Sequence, residues 1–511
     1  MNSPPNLGDK TLSSSRQRPG SACEECRRRK LRCDGKQPQC EVCFESGIPC
    51  VVNMPQSRRG PKKGHLKALQ TRIETILDVS FNEAHPRVSQ SIPDSNSESC
   101  SGDRFPEMRT PQPLGMPTNA YIPDLLRADL DQLYFDRVHI FVPILHQRQY
   151  FSWAKQATKT ESRTCLQFAM WTMAASLSAQ LEHIRDSLYR DTQQILESLE
   201  LKDDNLEFTN IEHAQAWLLL AIYEFMRTNY QRGWMSAGRC FRLVQLMRLY
   251  EIDKQENWIK TEEKRRTFWM AYTLDRLINI RHEWPLTLNE QVISTRLPAP
   301  EEDFQRGQCI VPMGFLSEVI TSSDSKYLSS FAECIILATI CGRSLSHRQQ
   351  SAVEHVYGEV SQHFWDQHQW LDTILTKRVQ LISLKYPSAS EHIDPMLLFV
   401  NMVAQTTILY HCKIMESISW QTDEYQTIII GSKQRALSAA REIVSLTKIL
   451  SQLSYFKIHP FTPLPLSLCA DFFMTHQDLD ESLPLQLQEV LEALRELTTV
   501  NNLAQTYCHD L

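Results

Sequence analysis

The sequence predicts a chain in two parts: a small module built on cysteines at the N-terminus and a large all-α domain behind it. Three observations predict this. Six of the fifteen cysteines fall between Cys23 and Cys50 at regular spacing. Residues 119–511 repeat apolar side chains at helical intervals, with few glycines and little strand-like alternation. Between the two parts, residues 81–118 are polar and carry Pro86, Pro93, Pro106, Pro111, Pro113 and Pro117, the composition of a disordered linker.

Residues 1–20 are polar and rich in Pro and Ser, which predicts a disordered N-terminus with no secretory signal. Disulfides need an oxidising compartment, so the cysteines are expected as thiols or metal ligands. Over residues 21–53 they read C-x2-C-x6-C-x6-C-x2-C-x6-C, two copies of one unit. Paired C-x-x-C steps are a strong zinc signal, and thiolates suit tetrahedral zinc. Two separate tetrahedra need eight donors. Six thiolates close two tetrahedra when two of them bridge, so the count points to a binuclear cluster. The module has little else to fold around. Leu31, Val42, Phe44 and Ile48 are its only sizeable apolar residues. Ordering the backbone costs about 1–2 kcal/mol per residue. Structural zinc contributes roughly 10–16 kcal/mol in small finger peptides, so folding is expected to require metal.

The gap after Cys26 reads Arg27-Arg28-Arg29-Lys30-Leu31-Arg32, and the second copy has no basic run. Through Lys67 there are fourteen Lys/Arg and six Asp/Glu, a formal charge of +8. The whole chain is −6, so residues 68–511 carry −14. A basic end on an acidic protein is the electrostatic footprint of nucleic-acid binding.

This segment resembles the fungal binuclear zinc cluster DNA-binding domain. Cys26-Arg27-Arg28-Arg29-Lys30-Leu31-Arg32-Cys33 matches that family's C-R-x-[RK]-K-x-x-C signature, and Pro38 stands where it has a loop proline. The resemblance implies two zinc ions per chain, with Cys23 and Cys40 as the bridging thiolates. One ion would take Cys23, Cys26, Cys33 and Cys40; the other Cys40, Cys43, Cys50 and Cys23. It also implies CGG-type half-sites in double-stranded DNA, with Lys30 and Arg29 on the bases. Arg27, Arg28 and Arg32 would sit on phosphates.

Residues 54–80 form a basic linker and a short helix. Arg58, Arg59, Lys62 and Lys63, around Gly60 and Pro61, invite phosphate contact or nuclear import. Leu66, Leu69, Ile73 and Ile76 recur at steps of three, four and three, a short coiled-coil seam. By family likeness it joins two protomers, so a homodimer is expected.

The rest is expected to be an all-α regulatory domain over 119–511. Ala214, Trp217, Leu218, Ala221, Ile222 and Phe225 mark one helix face. Val490, Leu491, Leu494 and Leu497 mark another. Ile428-Ile429-Ile430 reads as a strand or a buried helix. Trp234 to Arg239, then Glu263-Lys264-Arg265-Arg266-Thr267-Phe268-Trp269 with Asp275-Arg276, resemble the middle homology region of the same regulators. The family's G-R-P appears as Glu283-Trp284-Pro285. Arg265, Arg266 and Asp275 are expected in ion pairs between helices, and Trp234 and Trp269 in the core. Asp471-Phe472-Phe473-Met474 and Asp478-Leu479-Asp480-Glu481 read either as an activation segment or as part of the folded domain.

No H-E-x-x-H, G-x-S-x-G, P-loop or dinucleotide fingerprint occurs, so no enzyme is expected. No run of eighteen apolar residues occurs, so no membrane span is expected. The expectation is a nuclear transcription factor of RNA polymerase II genes that works with coactivators; no residue assigns a small-molecule effector. The segment from Gly60 to Leu69 is similar to regulators placed in fungal secondary-metabolite clusters, often polyketide ones. The rival reading is a zinc-dependent interaction scaffold or corepressor that reads no bases.

Overall fold

The computed structural model describes residues 23–31, 33, 34, 36, 39–47, 50 and 122–511, apart from 157, 203–209, 252–256, 309, 323–327, 358–361, 386–393 and 418–422. The predicted linker, dimerisation helix and tether lie outside the described residues. The chain divides into two compact units between Arg109 and Thr110.

Among its described residues the small unit holds two short helices, α1 (Glu24–Arg29) and α2 (Glu41–Glu45), packed on each other. Helices this short are unstable alone, so something outside their own hydrogen bonds must hold them. Among the described apolar side chains only Val42 packs against the sulfurs, half-buried. Phe44 is 73% exposed and Leu31 48% exposed, whereas Cys23, Cys26, Cys33, Cys40 and Cys43 are all buried. The sulfurs are the core of this unit.

The large unit is helical, and among its described residues the sole β-type pairing is an isolated bridge between Arg296 and Phe315. It opens with α3 (Asp124–Leu133), continued by a π-helical turn, then α4 (Gln147–Ala154). A first group of α5 (Glu161–Ser176), α6 (Glu182–Lys202), α7 (Ile211–Arg227) and α8 (Tyr230–Leu246) packs around α7 and α5. α9 (Trp258–Asn279) follows, then the short α10 (Glu301–Arg306) and α11 (Leu316–Val319). A second group holds α12 (Ser330–Tyr357), α13 (Gln362–Lys385), α14 (Pro395–Glu416) and α15 (Asp423–Leu450). The chain closes with α16 (Pro463–Thr475), α17 (Leu483–Leu497) and α18 (Asn502–Asp510). The starts of these helices are written in the sequence. Asn229, Asn257 and Asp394 accept backbone N–H groups from the first turns of α8, α9 and α14.

α9 ties the two groups together, packing on α7 and α8 on one side and on α12 on the other. Every residue from Arg265 to Asn279 is buried, although the stretch carries two arginines of its motif, Asp275 and Arg276. A buried charge must be paired and hydrogen-bonded. Arg266 meets this with Glu262 on its own helix, Glu301 on α10 and the carbonyls of Pro143 and Ala299. Arg265 pairs with Glu262 one turn away, inside α9 rather than across helices. Asp275 pairs with neighbouring Arg276 and accepts the backbone N–H groups of Thr287 and Leu288, so it pins a loop instead of a second helix. The expected interhelical pairing therefore holds for Arg266 alone.

Three further expectations resolve differently from one another. Trp269 is fully buried, its Nε1 donating to the Arg296 carbonyl at 2.7 Å. Trp234 is 41% exposed and is not core. α8 turns its small residues inward, and Gly233 faces the Phe225 ring so closely that a Cβ would stand 2.7 Å from it. Trp234 lands on the outer side, edge-on to Trp284. Ile428, Ile429 and Ile430 are helical, and Ile428 and Ile430 are exposed, so they form neither a strand nor a buried helix. Phe472 and Phe473 are buried in α16, and Asp471 pairs with Arg281 at 2.8 Å. That segment belongs to the folded domain.

Candidate zinc cluster and nucleic-acid interface

Both copies of the cysteine unit start a helix with their first cysteine. Cys40 is the N-cap of α2, and Cys23 immediately precedes α1. The Cys26 backbone N–H points at Cys23 Sγ, 3.5 Å away. This N–H draws the Cys23 thiol down to about 6, and the Cys43 backbone amide likewise lowers Cys40. A helix N-terminus favours a thiolate there. Burial instead pushes Cys26 up, and Cys43 up to about 12.

The sulfurs converge. Cys23 Sγ lies 3.7 Å from Cys40 Sγ and 3.6 Å from Cys43 Sγ, and Cys26 Sγ lies 3.7 Å from Cys40 Sγ. Cys50 Sγ meets the Cys40 backbone N–H at 3.4 Å. Cys23 and Cys40 are central: Cys23 Sγ neighbours the sulfurs of Cys40 and Cys43, and Cys40 Sγ those of Cys23 and Cys26. These distances decide between two chemistries. A disulfide needs about 2.05 Å between sulfurs. A Zn–S bond of about 2.3 Å gives a tetrahedral S···S edge of about 3.8 Å. The observed spacing fits sulfurs arranged round a tetrahedral zinc, and all six cysteines are free of disulfides. Cys23, Cys26, Cys40 and Cys43 together bring four sulfurs within 4.8 Å of one another.

The basic run lies on the exposed side. Arg28, Arg29 and Lys30 are exposed at the C-terminal end of α1, where the helix dipole favours cations. The helix stops at Lys30, which has φ +57°. The Leu31 N–H then reaches back to the Cys26 carbonyl at 2.9 Å, a Schellman-type end. The second copy ends the same way: α2 is followed by Gly47 at φ +62°. Lys30 and Gly47 each stand seven residues after the first cysteine of their unit. Glycine suits that left-handed position; a side chain there costs about 1–2 kcal/mol. The first copy thus carries a lysine where the backbone asks for glycine, and the lysine projects from the helix end into solvent.

The Arg27 side chain and Arg32 lie outside the described residues, as do Arg58, Arg59, Lys62, Lys63, Leu66, Leu69, Ile73 and Ile76. The shared geometry at Lys30 and Gly47 escaped the sequence reading. The repeat spacing was visible, but the left-handed step was not.

Two protein families match the chain. The fungal Zn(2)-Cys(6) binuclear cluster domain matches residues 21–60, and the fungal specific transcription factor domain matches residues 132–374. A pigment biosynthesis transcriptional activator of Monascus ruber, pigB, is 52% identical over 96% of this chain and 94% of its own length. The citrinin biosynthesis transcriptional activator ctnR of Monascus purpureus is 46% identical over 97% of this chain and 93% of its own. An azaphilone cluster-specific transcription factor of Aspergillus niger, azaR, is 46% identical over 87% of this chain and 96% of its own.

Proposed function

Because this chain belongs to the fungal Zn(2)-Cys(6) transcription factor family, we propose that it activates one secondary-metabolite gene cluster, of polyketide type, from the nucleus. It is a DNA-binding transcription factor with two zinc ions per chain, and not an enzyme. Relatives along nearly its whole length are named for pigment and citrinin biosynthesis. Among the described residues no helix is long and apolar enough to cross a membrane.

Zinc supplies the electrostatic tie that lets six thiolates stand together. The chain's own residues do the rest. Cys23 and Cys40, central among the sulfurs, are the shared ligands. Lys30 and Arg29 donate to guanine O6 and N7 in CGG half-sites. Arg27, Arg28 and Arg32, with Arg58, Arg59, Lys62 and Lys63, take phosphates and set the register. Leu66, Leu69, Ile73 and Ile76 pair two protomers, so that two half-sites are read at once. The helical domain carries the signal to coactivators. The single observation that supports base reading most is the exposed lysine held in a position that suits glycine.

Genome-wide mapping of bound DNA in the producing fungus tests this reading. Peaks should hold paired CGG elements upstream of one biosynthetic cluster, and transcripts of that cluster should fall when the gene is deleted. Peaks without such elements would leave only the scaffold reading. Leu69→Asp with Ile73→Asp should turn a dimer into a monomer by sedimentation; an unaltered mass refutes the seam.

A further inference from the structure

The two cysteine units differ behind their sulfurs. Asp34 follows the third cysteine of the first unit; Val51 holds the matching place in the second. Asp34 is half-buried, and its carboxylate reaches across to the other unit. Oδ1 accepts the backbone N–H of Glu41 at 3.1 Å. Glu41 is the first residue of α2, directly after Cys40. A carboxylate oxygen of Asp34, Cys33 Sγ and Cys40 Sγ all lie within 4.8 Å of one another. Lys36 Nζ stands 3.6 Å from both Asp34 and Glu41 and offsets their charge.

We propose that Asp34 is a positioning residue chiefly for one zinc ion, the one that Cys33 and Cys40 hold together; the other ion is reached through the shared Cys40 alone. This rests on the two-zinc reading above. Asp34 adjoins Cys33 in the chain, and its hydrogen bond fixes the residue next to Cys40. One short bridge therefore sets the separation of two sulfurs contributed by different units. Groups behind metal ligands act this way, and losing them weakens metal binding about 10- to 100-fold. The acceptor oxygen matters more than the charge. A cluster of six thiolates and two zinc ions already carries −2, so another negative charge nearby gains little by itself. The two cysteine units are thus unequal: an aspartate stands behind the third cysteine of one, and Val51 holds that place in the other.

The test is zinc release from the full-length protein to an excess of a colorimetric chelator. Wild type should lose its two ions in two phases, the slower belonging to the braced site. Asp34→Asn keeps an acceptor oxygen and drops the charge, and should release zinc at close to the wild-type rate. Asp34→Glu keeps the charge and displaces the acceptor, and should speed the slow phase about 10- to 100-fold. The fast phase, tied to Asp34 only through the shared Cys40, should change by a clearly smaller factor. The assignment is overturned if Asp34→Glu leaves both phases unchanged, accelerates both by the same factor, or if Asp34→Asn is as fast as Asp34→Glu. Wild type that holds no zinc fails differently, because it removes the two-zinc reading itself.

Discussion

Replacing Lys30 by glycine should make the small unit more stable and its DNA recognition poorer at the same time. Lys30 sits at φ +57°, a left-handed step that costs a side chain about 1–2 kcal/mol relative to glycine. Gly47, at φ +62°, shows the unstrained solution at the same register. Lys30→Gly should recover about 1 kcal/mol after allowing for glycine's greater freedom when unfolded. Folding and zinc binding are linked here, so that gain should raise the chelator concentration at half-loss of zinc about fivefold. Lys30→Ala removes the same ammonium and keeps the strain, so its chelator midpoint should stay at the wild-type value. Both variants should lose about 1–3 kcal/mol of discrimination between a CGG duplex and one with the guanines replaced. That is about 5- to 150-fold in relative affinity, read by fluorescence anisotropy at one fixed salt concentration. Lys30→Gly that binds zinc more weakly than Lys30→Ala would refute the strain argument. Lys30→Gly that still prefers CGG would refute the assignment of the base contact.

Three other outcomes follow from the same geometry. Removing zinc should unfold the small unit and end DNA binding, while the far-ultraviolet helical signal of the large unit persists; loss of that signal in parallel would contradict two separate units. Arg28→Ala should weaken all duplexes alike and reduce the slope of log affinity against log salt by about 1, whereas a change in sequence preference would contradict a phosphate contact. Glu263 is pushed up to about 7 by burial. An acid whose folded value exceeds its unfolded value binds more protons when folded, so stability should fall as pH rises from about 4.5 to 7 and then level off. Glu263→Gln should remove that fall in thermal melts, and an unaltered pH profile would show that burial does not hold the proton.

What could be read from the chain alone depended on how local each signal was. The cysteine array of the small unit was legible because zinc coordination repeats at fixed short steps, and the sulfurs of Cys23, Cys26, Cys40 and Cys43 come together. The start of α9 at Asn257, which accepts the Lys260 N–H, was not read, although the cap and the residue it caps are only three apart. Trp234 was misread because size suggests burial, while the face of α8 is decided by where Gly233, Ala237 and Cys240 must fit. Asp275 was half-read. Its motif announced a buried charge, but its partners, the amides of Thr287 and Leu288, come from a loop with no pattern of its own. The buried pair Arg378 with Glu333 gave no signal at all, because it joins α13 to α12 across forty-five residues.

The matched ends of α1 and α2 have a mechanical side. A doubled motif in which one half is armed and the other blank leaves an idle socket of the same shape. Arg27 to Lys30 on one half correspond to Phe44, Glu45, Ser46 and Gly47 on the other. The blank half carries the relaxed glycine, while its twin holds a lysine at the same left-handed step. Strain is thus confined to one of two equally spaced halves, so relieving it leaves the other half's backbone as it is.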